Sequence, residues 1–249
     1  MKTLCSTFAL IGALAGPAQA EFSFEATDAD TQAYVENNLL GIFYHEFGHA
    51  LIDVLDLPIY GQEEDAADVL SVFLMSDFFE EEFAVQLAYD TAFGFLGEAE
   101  QVEEVAFWDV HGPDLQRYYN LVCIFYGANP EERSDVAEDL GLPEERADYC
   151  PDEYEQAAHA WGGALDEIAH AGGGQSLKMA ALSEEGDAAR LSFDVITTEV
   201  DALNAEFRLH DEITVRVEAC GEANAFYDPA PREIIICTEF ADLLTEMAP

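Results

Sequence analysis

The sequence predicts an α+β fold: mainly helical over residues 28–170, with a disulfide-clamped β-hairpin or small antiparallel sheet within about 188–249. Two features of the hydrophobic pattern predict it. Up to Ala169 apolar residues recur at the three-and-four spacing of amphipathic helices, whereas beyond Gly172-Gly173-Gly174 they come to alternate, as on a strand with one buried face. The third observation is the cysteines. Cys123, Cys150, Cys220 and Cys237 form an even set, which in an exported chain reads as two disulfides.

Residues 1–20 carry Lys2, the apolar run from Phe8 to Ala15 and the small-x-small end Ala18-Gln19-Ala20. This is the pattern of a signal peptide cleaved after Ala20, and its apolar core falls short of the ~20 residues a membrane span needs. Cys5 leaves with it. The expectation is a single domain over residues 21–249, located in the periplasm or secreted, with no membrane span.

From Asp28 to Leu57, Tyr34, Leu39, Ile42, Phe43, Phe47, Ala50, Leu51 and Val54 keep helical spacing until Pro58 closes the run. A second helix starts at Glu63, where three acids in the first turn suit the positive end of the helix dipole, and continues through Val69, Leu70, Phe73 and Leu74. The intervening loop is short, so the two helices should lie antiparallel. Further helices are expected over 80–95, 113–125, 131–139 and 152–169, and a short one over 195–203. Then residues 212–219 alternate and residues 233–237 are rich in isoleucine, with the turn signal Asp228-Pro229 between them. A hairpin centred on that dipeptide sets Cys220 opposite Cys237, leaving Cys123 to pair with Cys150.

Of 249 residues, 50% are hydrophobic and 12% aromatic, enough to build a core and to exclude a disordered chain. Against 52 acidic side chains stand 9 Lys and Arg, a formal charge of −43. Such a surface repels a polyanion, so nucleic-acid binding is excluded, and it calls for screening by salt or divalent cations.

His45-Glu46-Phe47-Gly48-His49 is an H-E-x-x-H sequence inside the first helical run. At this spacing both imidazoles project from one face and reach a single Zn²⁺, while Glu46 stands beside them as a general base for the attacking water. A hydrolytic zinc site needs a third protein ligand and one open position. The second helix offers Glu64 for zinc and Asp68, one turn on, to accept the free ring N–H of a ligand histidine. Glu63 and Asp65 compete with Glu64 for the ligand role, and Ala66 and Ala67 let the two helices approach closely.

H-E-x-x-H followed by E-x-x-A-D, here Glu64 to Asp68, resembles the gluzincin clan of zinc metallopeptidases. That resemblance implies a zincin-like helical part, zinc held by His45, His49 and Glu64, and hydrolysis of peptide or protein substrates. The segments His45 to Asp53, Gly61 to Asp68, Asp114 to Cys123 and Asn224 to Pro229 are similar to a bacterial family of exported putative metallopeptidases of unknown function. Asn224-Ala225-Phe226-Tyr227 further resembles the Asn-Ala-x-Tyr segment of neprilysin-type peptidases, in which an edge strand binds the substrate backbone. In those enzymes the strand precedes the zinc helix; here it follows. The resemblance implies substrate contacts from Asn224 and Ala225.

A donor aimed at the developing oxyanion is also required, and His111, Arg117, Tyr118, Tyr119 and Tyr227 are the candidates. His159, His170 and His210 lack ligand spacing and are read as lying outside the site. Trp108 and Trp161 are expected in the core. The rival reading is a non-catalytic periplasmic protein that binds zinc or peptides through the same helices. Calcium binding has no D-x-D-x-D-G loop to support it.

Overall fold

A computed structural model describes residues 28–170 and 173–249. The expected signal peptide, residues 1–20, lies outside them. Seven helices come first among the described residues: α1 (Asp28–Val54), α2 (Glu63–Asp77), α3 (Glu81–Gln101), α4 (Asp114–Ala128), α5 (Ser134–Asp139), α6 (Glu144–Ala147) and α7 (Cys150–Ile168). There follow β1 (Leu177–Met179), α8 (Asp187–Glu206), β2 (Ile213–Glu218), β3 (Ala225–Asp228), β4 (Glu233–Cys237) and α9 (Thr238–Met247). The α+β expectation holds. No described helix is long and apolar enough to cross a membrane.

α1 is the axis of the molecule. Tyr34, Leu39, Phe43, Tyr44, Phe47, Ala50 and Leu51 are all buried, spread around the helix rather than along one stripe, because α2, α3, α8, α9 and the sheet pack against it on different sides. Burying a side chain of this size stabilises by about 1.5–3 kcal/mol. A second apolar cluster lies around α3, α4 and α5 and includes Leu121, Val122, Phe125 and Val136. Cys123–Cys150 ties α4 to the start of α7 within that cluster. Closing a separation of 27 residues, this bridge contributes about 3–4 kcal/mol in the chain-entropy account.

The sheet corrects one expectation. Its order is β1-β2-β4-β3, with β1–β2 and β2–β4 parallel and only β3–β4 antiparallel. β2 and β4 therefore do not form a hairpin, and the sheet is mixed rather than antiparallel. The reason lies in residues 219–232, which hold a strand of their own: β3 reverses the chain and turns through 229–232 onto β4. Cys220 and Cys237 are joined nonetheless. In the parallel register Glu218 lies beside Cys237, and Gly221, at φ +83, turns the chain just after Cys220.

Two helices exceed or escape the expectation. α8 runs for twenty residues because its buried stripe is Ala189, Ser192, Ile196, Glu199, Val200 and Leu203, in which two polar residues hide the apolar period. α9 follows β4 without a break and buries Phe240, Ala241 and Leu244. Trp161 is buried as expected, and its Nε1–H donates to the Ala66 carbonyl at 3.1 Å, pinning the first turn of α2. Trp108 is not a core residue: it stands 86% exposed on the loop before α4.

Candidate metal centre

α1 and α2 meet where the sequence permits a very close approach. A Cβ on Gly48 would lie 3.0 Å from the Ala67 Cα, so glycine between the two histidines lets the second helix lie directly against the first. That contact sets the first turn of α2 opposite the H-E-x-x-H turn of α1.

Three side-chain atoms converge there. His45 Nε2 and His49 Nε2 are 3.2 Å apart, and Glu64 Oε2 lies 3.2 Å from the first and 3.1 Å from the second. A tetrahedral ion with bonds of ~2.0–2.1 Å spaces its ligand atoms by about 3.3 Å, so the triangle has the size such an ion requires. Two imidazole nitrogens and one carboxylate oxygen also suit a borderline divalent cation. Ligand atoms of His45, Glu64 and His111 likewise lie within 4.8 Å of one another.

The outer nitrogens of the two α1 rings are held by carboxylates. His45 Nδ1 lies 2.8 Å from Asp68 Oδ1, and His49 Nδ1 lies 2.8 Å from Glu63 Oε1. Each contact turns Nε2 toward the centre and fixes the ring tautomer. Glu63, a rival for the ligand role in the sequence, thus serves His49 from the outside while Glu64 faces inward.

A protein family described as putative metallopeptidase, DUF4344, matches residues 13–165 and 184–248. The chain belongs to this family. No curated protein and no solved structure matches it.

The charges of this centre act strongly on one another. Burial alone would lower the His45 imidazole, but hydrogen bonds with Asp68 and Glu64 outweigh it and push it up to about 9, so a metal ion at Nε2 would compete with a proton on this ring. Burial would raise the Glu64 carboxyl; hydrogen bonds from His111, His45 and His49 instead hold it far below the carboxylate range. Glu46 is 4% exposed, and burial pushes its carboxyl up against the opposing pull of His45 and His49.

Arg117 is not placed as an oxyanion donor. Its Nε and Nη2 both donate to Asp68, each at 2.8 Å, and its guanidinium stacks over Phe95 at 4.5 Å. Despite the burial that would raise it, this fork holds the Asp68 carboxyl well below its usual range. Arg117, Asp68 and His45 therefore form one chain of contacts running inward. Tyr118 is not brought to the centre either, because its hydroxyl donates to the Leu140 carbonyl at 2.7 Å inside the second cluster. Tyr119 opens onto a separate hollow beside the α3–α4 loop.

The centre lies in a cleft of about 800 Å³. One wall is the C-terminal half of α1 and the start of α2, the opposite wall is β3 with Asn224, and Val110 and His111 lie along the rim. Tyr227 faces the cleft, with its hydroxyl donating to Asp53 Oδ2 at 2.8 Å. Asn224 turns its Oδ1 onto the Ala225 N–H at 2.9 Å. His159, His170 and His210 do not line the cleft. Sequence reasoning missed Asp53 and Gln62, whose roles arise only when distant segments meet.

Proposed function

We propose that the chain is an exported, zinc-dependent peptidase of gluzincin type. The observation that carries the reading is the donor triangle of His45, His49 and Glu64 with the buried Glu46 carboxyl beside it in the cleft. Zinc bound there would supply Lewis acidity to the scissile carbonyl and a more acidic water. Glu46 accepts the proton of the attacking water and returns it to the leaving amine. Asp68 and Glu63 keep the two imidazoles oriented throughout.

β3 supports peptide as the substrate. It is an edge strand, and the Cys237 N–H donates to the Asn224 carbonyl at 3.0 Å, which by antiparallel alternation turns the backbone groups of Ala225 and Tyr227 outward. An extended peptide can add along that edge, taking the Ala225 N–H from the Asn224 side chain. Asp53, Asp56 and Glu63 on the cleft wall favour cationic or neutral peptides over acidic ones. The two disulfides fit an oxidising compartment and support export, with residues 21–249 as the mature domain.

The test is a peptide library incubated with the mature chain. Cleavage that a chelator abolishes and added zinc restores is the expected result. Stoichiometric zinc with no cleavage of any peptide would replace the enzyme by a zinc- or peptide-binding protein.

A further inference from the structure

We propose that His111 is a fourth, displaceable ligand of this metal centre, so that the loop between α3 and α4 closes the site until a substrate moves it. The inference rests on the zinc reading above and goes beyond it. A hydrolytic site must leave one position open, whereas His45, His49, Glu64 and His111 together would fill a four-coordinate ion.

Three observations carry it. First, His111 Nε2 lies 2.9 Å from Glu64 Oε2, the same oxygen that meets the other two imidazoles, and ligand atoms of His45, Glu64 and His111 lie within 4.8 Å of one another, so a further donor reaches the same centre. The His45 and His111 ring centroids are 6.0 Å apart. Second, His111 is held differently from the α1 histidines. Their Nδ1 atoms rest on carboxylates at 2.8 Å, while the nearest carboxylate oxygen recorded for His111 Nδ1, Asp109 Oδ1, is 3.7 Å away, too far for a hydrogen bond. Without that support the ring is not fixed in orientation or tautomer, which marks it as the weakest ligand of the four.

Third, the segment that carries it is loosely held. Every residue from Val102 to His111 is exposed except Ala106, which is half-buried. Phe107 is 85% exposed, and Trp108 and Val110 also stand in solvent, so little apolar burial holds the loop down. Besides His111, it is linked to the start of α2 by the Gln62 side chain, whose Nε2 donates to the Val110 carbonyl at 3.0 Å. Gln62 immediately precedes Glu63 and Glu64, so the loop is latched beside the ligand it covers. A peptide laid along β3 enters between that strand and Val110–His111, displaces the imidazole, and meets the apolar side chains of the lifted loop.

The experiment is X-ray absorption at the zinc edge on the full mature chain loaded with zinc at neutral pH. Wild type should show three imidazoles in the zinc shell. His111→Ala should show two, with zinc still at one per chain, and Gln62→Ala, which removes the latch but no ligand, should show a partial loss of the third. Cobalt-substituted protein gives an independent readout, its visible spectrum shifting in His111→Ala as water takes the vacated position. Two imidazoles in zinc-loaded wild type would overturn the proposal and leave the peptidase reading standing. A wild-type chain that takes up no zinc would overturn both.

Discussion

Replacing Glu46 by Gln leaves zinc bound and lowers peptide hydrolysis by about 10²–10⁴-fold, the usual contribution of a positioned general base. The two effects separate because Glu46 is not one of the three donor atoms that converge between α1 and α2. Its side chain lines the cleft while lying almost wholly out of solvent, and burial raises its carboxyl above the ordinary carboxylate value. Glutamine keeps the shape and loses the proton-accepting oxygen. It also removes a buried charge, so thermal stability should not fall. Metal content and steady-state kinetics on the same preparation decide the matter. Turnover retained at the wild-type rate would remove Glu46 from the mechanism.

The largest expected structural effect comes from Arg117→Met. Its fork is the buried partner of Asp68, and its charge also faces Glu98 and Asp114. Removing one partner of such a pair leaves a carboxylate without its counter-charge and costs about 3 kcal/mol. Asp68 in turn holds the Nδ1 of His45, so zinc affinity should fall by about 10–100-fold. Denaturant unfolding and competition with a chelator measure the two consequences. Adding Asp68→Asn in the same chain should recover part of the stability, because the stranded charge is gone. It should not recover zinc affinity, because the carboxylate acceptor of His45 is gone as well. Full recovery of both would show that Arg117 serves packing alone.

The features legible in the sequence are those governed by local geometry. His45 and His49 share a face because four residues make about one helical turn, and Glu64 and Asp68 follow the same rule on α2. Spacing could not decide between Glu63 and Glu64. That choice depends on how α2 is rotated, which the contact between Gly48 and Ala67 and the Trp161 bond to Ala66 set from outside the helix. The parallel pairing of β2 and β4 escaped because strand pairing is not local: β3, four residues long, takes the antiparallel place beside β4 that a two-strand hairpin gives to β2. α8 is longer than its apolar period suggests because Ser192 and Glu199 occupy core-facing positions. Arg117 and Tyr118 are neighbours on α4 with similar claims to a catalytic role, and only tertiary packing sends one to Asp68 and the other to Leu140. The exposure of Trp108 likewise has no local signal, since aromatic residues are buried on average.

The central claim is that α1 and α2 together hold one zinc ion. Elemental analysis of the purified mature chain, wild type beside His49→Ala and Glu64→Ala, tests it most directly. The account predicts about one zinc per chain in wild type and its loss in both variants. No zinc in wild type after reconstitution at neutral pH, or zinc retained in both variants, would contradict it.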